Sequence, residues 1–98
     1  MTPVRISITH GGGSVYHVGL DAHDGTSTSH QVTVWPSDVQ RYAPDATPEE
    51  LLEASFAFLL EHEPKESILA RFELPVIERY FPDYPSAVRA LLERSDER

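Results

Sequence analysis

Histidine is the residue type in this sequence that is best suited to metal binding, and four of its five copies lie at positions 10, 17, 23 and 30. A protein-bound zinc ion needs ligand atoms that converge at about 2 Å from one point. The alternating strand pattern places these histidines on different faces and in a turn, so they do not converge. His62-Glu63-Pro64-Lys65-Glu66 resembles a zincin helix, but its proline interrupts the helix and its fifth residue is not histidine. We therefore expect neither a metal nor a cofactor.

The sequence also lacks the combination of residues that nucleophilic catalysis requires. His10-Gly11-Gly12-Gly13 resembles the oxyanion-hole run of lipases, yet no Gly-x-Ser-x-Gly elbow accompanies it. There is no cysteine, which excludes thiol nucleophiles and disulfides. Carboxylates are plentiful, but no pair falls in a predicted apolar pocket where one pKa could be raised for acid catalysis. The sequence predicts a protein that is not an enzyme.

Negative charge is concentrated in the second half of the chain. Residues 1–44 carry a net charge of −1, whereas residues 45–98 hold thirteen acids and six bases, net −7. Glu49, Glu50 and Glu53 share one arc of a predicted helix, and we interpret them either as a solvated face or as a docking surface for a basic partner. This balance disfavours nucleic-acid binding, which relies on Lys and Arg to neutralise phosphates.

Alternating apolar residues predict three strands at about residues 4–9, 15–20 and 30–35. The run Gly11-Gly12-Gly13 separates the first two, and a pairing of Ile6 with Val18 puts the apolar side chains of both strands on one face. A turn around residues 24–25 then sets Val18 beside Val32. An antiparallel three-stranded meander results.

Thr47-Pro48-Glu49-Glu50 combines a capping threonine, a proline at the first helical position and a glutamate that can close a capping box. A helix should therefore run from Pro48 to about His62, where Pro64 stops it. Its apolar arc is wide enough to be covered from two sides, by the sheet and by the C-terminal segment.

Shorter helices are predicted after Pro64, over residues 66–72 and 75–81, followed by a last helix through Ala87, Val88, Leu91 and Leu92. The fold class is thus α+β: a three-stranded antiparallel meander packed on one main helix, followed by two or three short C-terminal helices. We expect a single domain over residues 1–98, with its β part at about 4–35 and its helical part at about 48–94. No apolar run is long enough to cross a bilayer, so we expect a cytoplasmic protein without membrane contact.

Trp35 has the parity of the outer sheet face, together with Val15 and Thr33. Either the turn that follows covers its indole, or the side chain is free to contact a partner. In the predicted meander the third strand is also an edge of the sheet. It carries no charged side chain that would oppose pairing, so another strand could add to it. We therefore expect a homodimer or a protein partner at strand 3, and an interaction or regulatory module as the function.

Two alternatives to that function stay open. Residues 66–81 can form a helix–turn–helix that reads DNA, although residues 64–92 hold four acids and four bases and so lack a basic excess. The acidic helix also suits an antitoxin-like inhibitor of a basic protein.

The segment SILARFELPVIERYFPDY, residues 67–84, resembles a segment of small uncharacterised bacterial proteins. With a weaker match from His30 through the capped helix, the resemblance covers somewhat over half of the chain. It implies a fixed fold, and no activity, ligand or partner.

Overall fold

The computed structural model describes residues 4–96, with side chains as far as Arg94, and has an α+β fold. Its four strands form one mixed sheet, and its four α-helices all follow β3 in the chain. In chain order the elements are β1 (Val4–His10), β2 (Val15–Ala22), β3 (Ser27–Thr33), α1 (Pro36–Tyr42), α2 (Pro48–His62), a 3-10 turn (Lys65–Ser67), β4 (Arg71–Glu73), α3 (Val76–Tyr80) and α4 (Tyr84–Asp96). The predicted class is confirmed, and the strand count of three is wrong.

Strands β1 to β3 form the expected antiparallel meander, with both registers shifted by two residues. Ile6 pairs with Leu20 instead of Val18, and Tyr16 pairs with Val32. The first shift arises because Gly12 and Gly13 carry the positive φ angles, 104° and 56°, which centres that turn one residue later than predicted. Because an even shift keeps every side chain on its face, the predicted apolar face is the one that is buried.

β4 is a strand that the sequence did not predict, since residues 66–72 were expected to be helical. It pairs in parallel with β3, with Val32 opposite Phe72. The buried His30 holds the preceding segment in place: its Nδ1–H donates to the Leu69 carbonyl at 2.7 Å, and its Nε2 accepts from Thr28 Oγ1 at 2.8 Å. The long-range bond to Leu69 outweighs the weak local helical pattern. β3 is therefore covered by β4, and the expectation of a free edge at strand 3 is wrong.

The main helix forms as predicted. The Glu50 backbone N–H donates to Thr47 Oγ1 at 3.1 Å, and the Thr47 N–H donates to Glu50 Oε1 at 2.9 Å, which completes the capping box. α2 contacts β1 on one side and α4 on the other, as its wide apolar arc predicts. Phe56 is fully buried between these layers.

Trp35 lies outside β3 and caps α1, a helix that was expected to be a turn. The Trp35 N–H donates to Oδ2 of the buried Asp38 at 2.9 Å, and Pro36 occupies the first helical position. The side chain is 49% exposed, so α1 does not cover it.

The C-terminal segment contains α3 and α4 close to where the sequence predicts its last two helices. α3 has five residues and follows a strand, so the helix–turn–helix expected over residues 66–81 does not form. The DNA hypothesis therefore loses the first helix of the motif on which it depended, and its second helix has only five residues. None of the helices in residues 4–96 has the length and apolar content needed to cross a membrane.

Candidate binding surfaces

The outer face of the sheet carries the first group of predicted contact residues. Val15 and Thr33 are paired neighbours on this face, and both are half-buried. Trp35 follows two residues after Thr33, with an extended backbone at φ −79° and ψ 154°. The structure thus brings Val15 and Thr33 together, with a half-exposed indole near the end of the same strand.

The second group lies on the other side of the sheet, in the first turns of α2. Glu49, Glu50 and Glu53 are all exposed. Burial raises the pKa of Tyr16, and the negative charge of Glu49 adds to this effect. The two predicted groups therefore belong to separate surfaces.

Glu50 and Glu53 border a groove between α2 and α4, with a volume of about 670 Å³, which we name the acidic groove. Its charged residues are four acids and one base. Its apolar residues come from both helices and from the α1–α2 connection. The lining consists of Ala43, Pro44, Asp45, Ala46, Glu50, Glu53, Ala54, Ala57, Arg89, Leu91, Leu92 and Glu93.

Arg89, the one base among these lining residues, offsets only one of the four carboxylates, and its Nη2 donates to the Arg41 carbonyl at 3.3 Å. Glu50 gives one carboxylate oxygen to the helix cap. The ion pairs found in the described residues are Arg41–Glu78 and Lys65–Glu66, and neither includes a carboxylate of this groove. The groove therefore presents a net negative charge beside apolar surface.

A smaller groove of about 270 Å³ lies beside β4, and we name it the β4 groove. Two of its residues, Leu69 and Tyr80, are 47% and 68% exposed. The other lining residues are Leu59, Glu63, Ser67, Ile68, Phe72, Val76, Ile77 and Phe81. Sequence reasoning missed this surface because it assigned residues 66–72 to a helix. The alternation Arg71-Phe72-Glu73 in β4 is too short to indicate a strand, since about four or more alternating residues are needed.

A polar cluster anchors the β2–β3 turn to the segment after α2. Nζ of the buried Lys65 donates to Thr26 Oγ1 at 2.5 Å and to Glu66 Oε2 at 2.6 Å. Thr26 Oγ1 in turn donates to Asp24 Oδ1 at 2.7 Å. The Thr26 hydroxyl lowers the pKa of Asp24, and the Lys65 ammonium lowers the pKa of Glu66. All three hydrogen bonds join side chains of this chain, so the cluster serves as a structural clamp.

Histidines do not assemble into a metal site within the described part of the chain, where no group of three or more His, Asp or Glu side chains could hold an ion. His10 stacks on Tyr16 with ring centroids 4.5 Å apart, and His62 packs between Phe58 and Phe81. His30 is bonded at both nitrogens as described above. The rings of these three histidines are thus packed against aromatic side chains or hydrogen-bonded within the protein.

The described residues form a small α+β fold with two surface grooves. Comparison with family models, with curated proteins and with solved structures finds no match to this chain. The resemblance of residues 67–84 to small bacterial proteins stays a prediction.

Proposed function

We propose that this protein is a small interaction module that binds a basic segment of a protein partner in the acidic groove. The observation that carries the proposal is the combination of four acidic side chains with an apolar floor in one cavity. The α2 half of this surface includes Glu50 and Glu53, two of the residues that the sequence analysis names as candidate partner contacts.

Charge complementarity identifies the kind of partner. The side chains of Asp45, Glu53 and Glu93 are exposed or lie at the rim, and Arg89 is their single cationic neighbour in the groove. A segment that carries Lys or Arg removes the repulsion between these carboxylates and is attracted before contact, which raises the association rate. A polyanion is repelled by the same field.

The small and apolar residues of the acidic groove indicate the shape of the segment that it can bind. Ala54 and Ala57 are small, so a partner backbone can approach α2 closely, and Leu91 and Leu92 offer half-buried apolar surface on α4. We therefore expect the bound segment to be an amphipathic helix with basic residues beside one or two apolar anchors.

A labelled amphipathic peptide of about twelve residues, built from Arg, Leu and Ala, tests the proposal by fluorescence anisotropy. Binding should weaken roughly tenfold or more in Glu53→Lys and should decrease as salt is raised. Glu61→Lys is the matched control, because it makes the same charge change on an exposed residue of α2 outside the groove.

The proposal fails if the peptide does not bind at low salt, or if both variants weaken binding equally. Equal effects would mean that the peptide responds to the net charge of −8 and not to the groove. Glu53 takes no part in the helix cap, so its substitution should leave the thermal unfolding temperature within a few degrees of the wild type.

A further inference from the structure

β4 is an edge of the sheet, and its outward backbone groups are unpaired. The Gln31 N–H donates to the Ala70 carbonyl at 2.8 Å, and the Leu74 N–H donates to the Thr33 carbonyl at 3.0 Å. In a parallel ladder the residues that bond to β3 alternate, so Phe72 also faces β3. The N–H and C=O groups of Arg71 and Glu73 therefore point away from the sheet, and no partner for them lies within the described residues.

We propose that β4 pairs with β4 of a second copy of this chain, antiparallel, about a two-fold axis at Phe72. This register sets Arg71 opposite Glu73 of the second copy and Glu73 opposite Arg71. Both residues have outward backbone groups, as a hydrogen-bonded antiparallel pair requires. About four backbone hydrogen bonds then form across the axis, and the two sheets become one continuous sheet of eight strands.

The same register pairs opposite charges. Arg71 and Glu73 are two residues apart on one strand, so their exposed side chains lie on the outer face of the sheet. Across the axis each arginine meets a glutamate, at the separation where cross-strand ion pairs stabilise a sheet. A strand that reads Arg-Phe-Glu is thus complementary to itself only when it is antiparallel and centred on its phenylalanine.

The inner face supplies apolar contact at the same axis. Phe72 of each copy lies in the closer, non-hydrogen-bonded position, so the two rings meet. The β4 groove adjoins this point, and its exposed Leu69 and Tyr80 would be covered by the second copy. Burial of these side chains adds the apolar area that a three-residue edge lacks.

β1 is the other edge of the sheet, and it lacks this complementarity. Its outer-face residues within Val4–His10 are Arg5, Ser7 and Thr9, which carry one charge and no acid to face it. The sequence-based prediction of a dimer at strand 3 is wrong about the edge, because β4 lies outside β3 in the sheet.

Sedimentation velocity of the full chain at protein concentrations up to about 1 mM tests the pairing. We expect a monomer–dimer equilibrium in the wild type. Glu73→Arg places like charges across the axis, and so does Arg71→Glu, so each should raise the dissociation constant roughly tenfold or more. The double variant Arg71→Glu/Glu73→Arg restores opposite charges and should dimerise like the wild type.

The two single variants change the net charge of −8 in opposite directions, so a general charge effect cannot weaken both. Mixing them should give a heterodimer that is tighter than either homodimer, because one contributes two acids and the other two bases at the axis. A wild type that is monomeric at the highest concentration overturns the proposal. A dimer that is indifferent to both single variants overturns it as well, since its interface then lies elsewhere.

Discussion

A buried hydroxyl pair between α2 and α4 allows a quantitative test of the core. Ser55 and Tyr84 are both fully buried, and their oxygens are 2.6 Å apart. The Ser55 hydroxyl donates to the Leu51 carbonyl at 2.6 Å, so its single proton is committed. The Tyr84 O–H is therefore the donor to Ser55 Oγ, and the two substitutions at this pair are not equivalent.

Ser55→Ala leaves the Tyr84 hydroxyl in the core without its acceptor, which should cost about 1–3 kcal/mol of unfolding free energy. Tyr84→Phe leaves Ser55 still bonded to Leu51 and removes one ordinary hydrogen bond, so it should cost about 1 kcal/mol. The double variant retains neither polar group and should cost no more than Ser55→Ala alone. The pair should therefore show a coupling energy of about 1 kcal/mol or more.

Urea unfolding followed by circular dichroism at neutral pH measures these differences, and thermal unfolding should shift by about 4–8 °C for each kcal/mol in a domain of this size. Ser86→Ala, at an exposed position of α4, is the control for serine removal. The reasoning is refuted if the two single effects simply add, or if Tyr84→Phe costs more than Ser55→Ala.

Three further predictions concern the core and the titrating groups. Phe56→Ala should lower the unfolding free energy by about 3–5 kcal/mol in urea unfolding, because the ring is fully buried against Phe72. A variant of unchanged stability would contradict this packing. Burial and the hydrogen bond to Glu78 raise the pKa of Tyr42 from 10.0 to about 12. As pH rises, the unfolded chain therefore loses the Tyr42 hydroxyl proton before the folded protein does, so the unfolding free energy should fall between pH 10.0 and about 12. The fall should be smaller in Tyr42→Phe. The Thr26 hydroxyl lowers the pKa of Asp24, so this carboxylate stabilises the fold above its ordinary pKa and ceases to do so as pH falls. Thr26→Ala should raise the pKa of Asp24 in an NMR titration, and an unchanged value would contradict the hydrogen bond.

Local signals predicted the elements that depend on local physics. The capping box at Thr47 and the stop at Pro64 gave the correct bounds of α2, because both act through backbone groups within one helical turn. The alternation of β1 and β2 gave the buried face, since side-chain direction in a strand depends only on parity. The exposure of Glu50 and Glu53 followed from the same helical periodicity.

Contacts between distant residues decided what the sequence did not reveal. β4 exists because His30 and Gln31 bond to Leu69 and Ala70 almost forty positions later, and no local pattern encodes that pairing. A three-residue strand is too short for periodicity to identify, so the edge of the sheet was assigned to β3. The acidic groove likewise depends on how α4 packs on α2, a tertiary contact that brings Glu53 and Arg89 to one cavity. The amino-acid sequence thus determined which face of β1 and β2 is buried and where α2 begins and ends. Tertiary packing determined which sheet edge and which groove are open, because both depend on groups far apart in the chain.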